Sequence, residues 1–167
     1  DYHAPIGRGN WACLCVQKER FRMLIGAHVS AAGGANKAIV RAEEIGAECF
    51  QIFASSPRMW SAKPVADAVV EKYAAEMKRT MMGPTVLHGK YLVALGSVDP
   101  ELLAKSETAL SADIAAANKL SALGVIFHPA SHRGQGFEAI IDQFAVSVRK
   151  VLDNEPGDSL LMLETSA

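Results

Sequence analysis

"VIFHPASH", residues 125–132, is a short apolar run that meets an imidazole. Val125, Ile126 and Phe127 show no polar alternation, so they read as a strand covered on both faces. His128, Pro129 and His132 then stand where a hydrophobic core offers no partner. In a parallel α/β sheet the C-terminal ends of strands carry the chemistry, so the reading turns on whether other strands end in the same way.

Four further runs resemble this one: "LIGAHV" (24–29), "CFQIFA" (49–54), "TVLH" (85–88) and "SLLMLE" (159–164), with the opening run extended as "GVIFH" (124–128). Helical patterns lie between them. Ile39, Ala42 and Ile45 share one face of the first, which Gly46 ends. Val65, Val69, Tyr73 and Met77 form a core stripe in the second. Asp99 as N-cap with Pro100 behind it opens the third, whose Leu103, Leu110, Ile114 and Ala117 face inward. Phe137, Ile140, Ile141, Phe144, Val148 and Val151 form the clearest stripe, in the fourth. This alternation predicts a βα series with a parallel sheet, either an open doubly wound sheet or a (β/α)8 TIM barrel. The glycine pair in "AAGGA" (31–35) lacks the G-x-G-x-x-G spacing, and no acid ends the second run, which weakens the dinucleotide-binding alternative.

Composition is that of a soluble globular protein: 167 residues, 50% hydrophobic, 21% charged, net charge −1. There is no basic footprint that by itself points to nucleic acid. Cys13, Cys15 and Cys49 are odd in number and lack metal-ligand spacing, and read as reduced thiols of a cytosolic protein. No apolar run approaches the roughly 18 residues of a membrane span, and "WACLCV" (11–16) is too short for a signal-peptide core. Residues 1–22 lack periodicity and are expected to be an extension outside a fold that occupies 23–167.

The polar strand ends decide the function. The first run ends near His28, the third at His88, the fourth at His128 and the fifth at Glu164. His88 and His128 are 40 positions apart, and His128 and Glu164 are 36 apart, about one βα unit each. Residues one unit apart end neighbouring strands and converge on one mouth. Two imidazoles and a carboxylate there are the ligand set of zinc or a similar divalent ion. For any single histidine the alternative is a polar strand end bonded to a loop; three such ends in one register favour a shared site.

"IGAHVSAAGG" (25–34), "QIFASSPRMW" (51–60), "LHGKYLVALG" (87–96), "FHPASH" (127–132) and "LLMLETSA" (160–167) together resemble, in order and spacing, signature segments of the endonuclease IV family of apurinic/apyrimidinic endonucleases. The resemblance runs from about Met23 to Ala167. It implies a (β/α)8 TIM barrel, truncated here after about the fifth strand, with three zinc ions (manganese as a substitute) that hydrolyse the phosphodiester 5′ to an abasic site in base-excision repair. By position, His88, His128 and Glu164 match zinc ligands, and Glu164 matches the catalytic carboxylate that bridges two ions. Arg58, Tyr91 and Leu92 match residues on loops that enter DNA at the lesion. His28 matches a first-strand histidine that is not counted as a ligand; His132 reads as a supporting or structural residue and not as a ligand. The implied partner is double-stranded DNA with abasic lesions. The protein is expected to be monomeric when complete, away from membranes, cytoplasmic and nucleoid-associated if bacterial.

One departure from the family pattern is expected to matter. The ligands of strands six to eight have no counterpart before Ala167, so the chain reads as about the first five-eighths of such a protein, with one metal position fully liganded and no activity of its own. The competing enzyme reading is a xylose-isomerase-like sugar isomerase or epimerase, which shares the barrel and the strand-end ligands. "SSPRMW" (55–60) and "HGKYL" (88–92) match DNA-contacting loops and count against it.

Overall fold

Strand and helix alternate along the chain as the apolar runs predict. The computed structural model describes residues 23–129 and 136–164. The strands are β1 (Gly26–His28), β2 (Cys49–Phe53), β3 (Thr85–His88), β4 (Gly124–Phe127) and β5 (Leu160–Leu163). The helices are α1 (Ala35–Glu44), α2 (Asp67–Thr80), α3 (Pro100–Leu120) and α4 (Ile141–Asn154). Residues 1–22, with Cys13 and Cys15, and His132 lie outside the described residues.

All four strand pairings are parallel, and the spatial order β1-β2-β3-β4-β5 follows the chain. A doubly wound sheet reverses its strand order at a switch point; this one does not, so the architecture is that of consecutive units of a (β/α) barrel.

Side chains alternate across each strand. Phe50 and Ile52, Thr85 and Leu87, and Val125 and Phe127 are buried. Gln51, Val86, Ile126 and Met162 line an open trough on the other side. The expectation that the runs are covered on both faces is therefore corrected: Ile126, between two buried neighbours, is only partly buried. An all-apolar triplet cannot reveal this, because the open face is still furnished with Val, Ile and Met.

The helices are held by local chemistry. Asp99 caps α3, its Oδ1 accepting from Glu101 N at 2.9 Å and Leu102 N at 3.4 Å, with Pro100 at the first helical position. α3 buries Leu110, Ile114 and Ala117, as its stripe predicts, whereas Leu103 in the first turn is only partly buried. Gly46, at φ +72°, turns the chain out of α1. Ile39 and Ala42 are buried, but Ile45 is 62% exposed, contrary to the helical stripe. Ile45 is the C-cap, where helical periodicity no longer applies. α2 starts after Val65 and fully buries only Tyr73, whose hydroxyl meets Thr85 Oγ1 at 2.5 Å and ties the helix to β3.

In α4, Val151 is buried and Ile141 is 43% exposed, while Phe137, expected in the same helical stripe, lies before the helix and is 49% exposed. With Phe144, Val148 and Leu163, Phe137 and Ile141 line an apolar groove beside β5, which pairs with β4 alone among the described strands. No described helix is long and apolar enough to cross a membrane.

β4 and β5 approach closely because residue 124 has no side chain. A Cβ there would collide with the Leu160 carbonyl oxygen. Gly124→Ala is expected to cost about 1–3 kcal/mol through overpacking, read as a lowered urea midpoint. An unchanged midpoint would show that β5 shifts freely.

Candidate metal centre

The same alternation that buries Leu87, Val125 and Phe127 sends the residues between them to the open face. Val86 and His88 lie two apart on β3; Ile126 and His128 are spaced alike at β4, and Met162 and Glu164 at β5. The register pairs His88 with Ile126 and Ile126 with Met162, which brings the three polar ends together. The ladder runs one residue past each strand: Gly89 N donates to Ile126 O at 2.8 Å, and Glu164 N to Phe127 O at 2.9 Å.

His88 Nε2 lies 3.3 Å from Glu164 Oε2, and His128 Nε2 lies 4.0 Å from the same oxygen. One ligand atom from each of the three residues falls within 4.8 Å of the others. The His88 ring is buried, and its Nδ1 lies 2.7 Å from Gly89 O. A carbonyl only accepts, so Nδ1 carries a proton, and Nε2 is the ring nitrogen turned towards Glu164. That is the arrangement a ligating imidazole needs, with its other nitrogen fixed by an acceptor. The His128 and Glu164 side chains are 43% and 41% exposed, which leaves an entry path for an ion. Two imidazole nitrogens and one carboxylate suit zinc and similar divalent ions. The donor set fits.

Aromatic rings wall the group. Phe53 lies 5.1 Å from the His88 ring and 5.3 Å from that of Tyr91, and Tyr91 lies 5.6 Å from His88. His28 packs on Phe53 at 4.6 Å, 6.2 Å from His88, with Nδ1 held by Gln51 Oε1 at 2.8 Å. It stands beside the three-residue group and is not part of it.

The loop residues singled out in the sequence are placed differently from one another. Tyr91 touches the His88 and Phe53 rings yet remains 58% exposed. Leu92 follows it and is half-buried. Arg58 is exposed on the loop after β2, where it makes no hydrogen bond or ion pair among the described residues.

Two residues escaped the sequence reading. Lys90, 3% exposed, places Nζ 2.5 Å from Oδ1 of buried Asp113 on α3, and the Lys90 N–H reaches Asp113 Oδ2 at 3.4 Å. Burial pushes the Asp113 carboxyl above its usual range, while the charge and hydrogen bonds of Lys90 pull it back. The signal was present: Asp113 is an acid in the inward stripe of Leu110, Ile114 and Ala117.

Residues 39–162 match the family model of the xylose isomerase-like TIM barrel. The chain belongs to that family. Among its relatives, a protein named "Probable endonuclease 4" from Halorhodospira halophila is 38% identical over 145 residues, which cover 86% of this chain and 49% of the relative. One of the same name from Chloroflexus aurantiacus is 34% identical over 143 residues, covering 85% and 50%. The crystal structure of endonuclease IV from Thermus thermophilus superposes with a TM-score of 0.78 at 32% identity, covering 86% of this chain and 52% of that one. A D-tagatose 3-epimerase-like protein superposes at 0.60 with 14% identity and shares the fold alone. Within the family, the resemblance to endonuclease IV carried by the five segments is thus upheld. The chain spans about half the length of the curated relatives it matches, somewhat less than the five-eighths expected.

Proposed function

We propose that this chain carries part of the active site of a DNA-repair endonuclease that hydrolyses the phosphodiester 5′ to abasic sites, with His88, His128 and Glu164 holding zinc. The observation that carries the reading is the convergence of two imidazole nitrogens on one Glu164 oxygen at the ends of adjacent strands. The names of the relatives support the nuclease class. The sugar isomerase or epimerase alternative draws on the fold alone.

When bound, a zinc cluster supplies Lewis-acid polarisation and a hydrolytic water active near neutral pH. The chain's own residues do the rest. His88 offers Nε2 from a buried, pre-oriented ring, so little ordering is needed on binding. Glu164 supplies the negative charge, with one carboxylate oxygen facing both histidines, and would serve as a carboxylate ligand of the cluster. Manganese suits the carboxylate donor.

Arg58, exposed and uncommitted, is assigned to a DNA phosphate, which positions the duplex without reading sequence. Tyr91 and Leu92 are assigned as the wedge at the lesion. An abasic nucleotide stacks with nothing, so displacing it costs less than flipping an intact base, and an apolar side chain can fill the gap. Tyr91 is suited to this because its ring is braced by Phe53 and His88 while the residue stays largely exposed.

In a chain extended through all eight strands, His88→Ala and Glu164→Gln are each expected to lower zinc retention against a chelator at least tenfold, on the scale at which single-residue changes around metal sites act. Full retention in both would remove these residues from the site.

In the same chain, Tyr91→Ala and Arg58→Ala are expected to weaken binding to abasic duplex with zinc content unchanged, and Arg58→Ala to reduce the slope of log K against log salt by about 1. Loss of zinc in either variant would instead make these residues supports of the metal site.

Residues 23–167 alone are expected to cleave abasic duplex far more slowly than the extended chain, since among the described residues β1 and β5 each pair on one side only. Comparable rates, with zinc bound, would refute this.

A further inference from the structure

We infer that Asp113 is a positioning residue for the metal-facing nitrogen of His88, acting through a single peptide group; the inference rests on the metal-centre reading above. His88 Nδ1 donates to the Gly89 carbonyl at 2.7 Å. The same peptide unit carries the Lys90 N–H, which donates to Asp113 Oδ2 at 3.4 Å. A peptide is planar, so its C=O and N–H turn together. Whatever holds the N–H on Asp113 therefore holds the carbonyl on His88. The route runs from the α3 carboxylate through one amide to the imidazole, and ends at Nε2, 3.3 Å from Glu164.

Three further features keep that amide from turning. Lys90 Nζ occupies the other Asp113 oxygen at 2.5 Å, so the carboxylate is held at both oxygens and its buried charge is balanced. Gly89 N is tied to Ile126 O at 2.8 Å, which fixes the preceding peptide. Gly89 itself has no room for a side chain, because a Cβ would approach Phe127 Cβ to 2.9 Å. Without an acceptor on Nδ1, the imidazole proton is free to sit on Nε2 and block the lone pair a metal requires.

A purely structural staple between the β3 loop and α3 would have the same contacts but would not set a tautomer. The test uses the full 167-residue chain without added metal, and reads the His88 tautomer from long-range proton–nitrogen NMR of the imidazole. The wild type is expected to show the proton on Nδ1. Two double variants remove the ion pair: Lys90→Met with Asp113→Asn keeps an oxygen for the amide, and Lys90→Met with Asp113→Leu removes it. The first is expected to keep the Nδ1–H form and a zinc affinity within about threefold of wild type, and the second to show proton on Nε2 and an affinity lower by about 10–100-fold. Thermal midpoints of the two doubles are compared to match their folding. A wild-type proton on Nε2, or doubles alike in both tautomer and affinity, would overturn the inference. If the wild type binds no zinc yet its tautomer still depends on residue 113, the metal reading fails and the positioning role stands.

Discussion

In a strand, side chains two apart share a face, and in a parallel sheet neighbouring strands end at the same side. Everything at this site follows from that geometry. Val86 and His88, Ile126 and His128, and Met162 and Glu164 are three copies of one step, in which the last apolar residue of the open face is followed two positions later by a ligand-type residue. The parallel register then sets the copies side by side. A one-residue change in any of these strands would turn its ligand onto the helix-facing side, among Leu87, Val125 and Phe127, where no ion could reach it.

The three donors are not equivalent. His88 is buried and fixed by its own loop, whereas His128 and Glu164 keep solvent contact. This suits a site in which one ligand is prepared in advance and the others close around an arriving ion. The loop that fixes His88 also presents Tyr91, so the proposed metal binding and lesion contact both draw on one short segment, residues 88–92. The buried Lys90–Asp113 pair anchors that segment to α3. Replacing one partner alone would strand a buried charge, a change usually costing about 3–5 kcal/mol, so single substitutions there confound stability with function.

The fold was largely legible because its signals are local. Apolar runs, the Asp99–Pro100 helix start and the Gly46 exit each act within a few residues, and their βα rhythm fixed a parallel sheet. His88, His128 and Glu164 were legible for a related reason: a spacing of one unit is itself a statement about neighbouring strands. What stayed hidden depends on packing. Val125, Ile126 and Phe127 look alike in sequence, so which of them meets the helices cannot be read without knowing what covers each face. Ile45 fits the stripe of α1 but falls at its end. Lys90 and Asp113 are 23 positions apart, and only the docking of α3 on β3 makes them a pair.

The most direct measurement is zinc K-edge X-ray absorption on the zinc-loaded protein. Coordination by His88, His128 and Glu164 requires two imidazole nitrogens with the outer-shell scattering of the ring, and at least one carboxylate oxygen, all at about 2.0–2.2 Å. A shell dominated by sulfur at about 2.3 Å, or one without imidazole scattering, would contradict it.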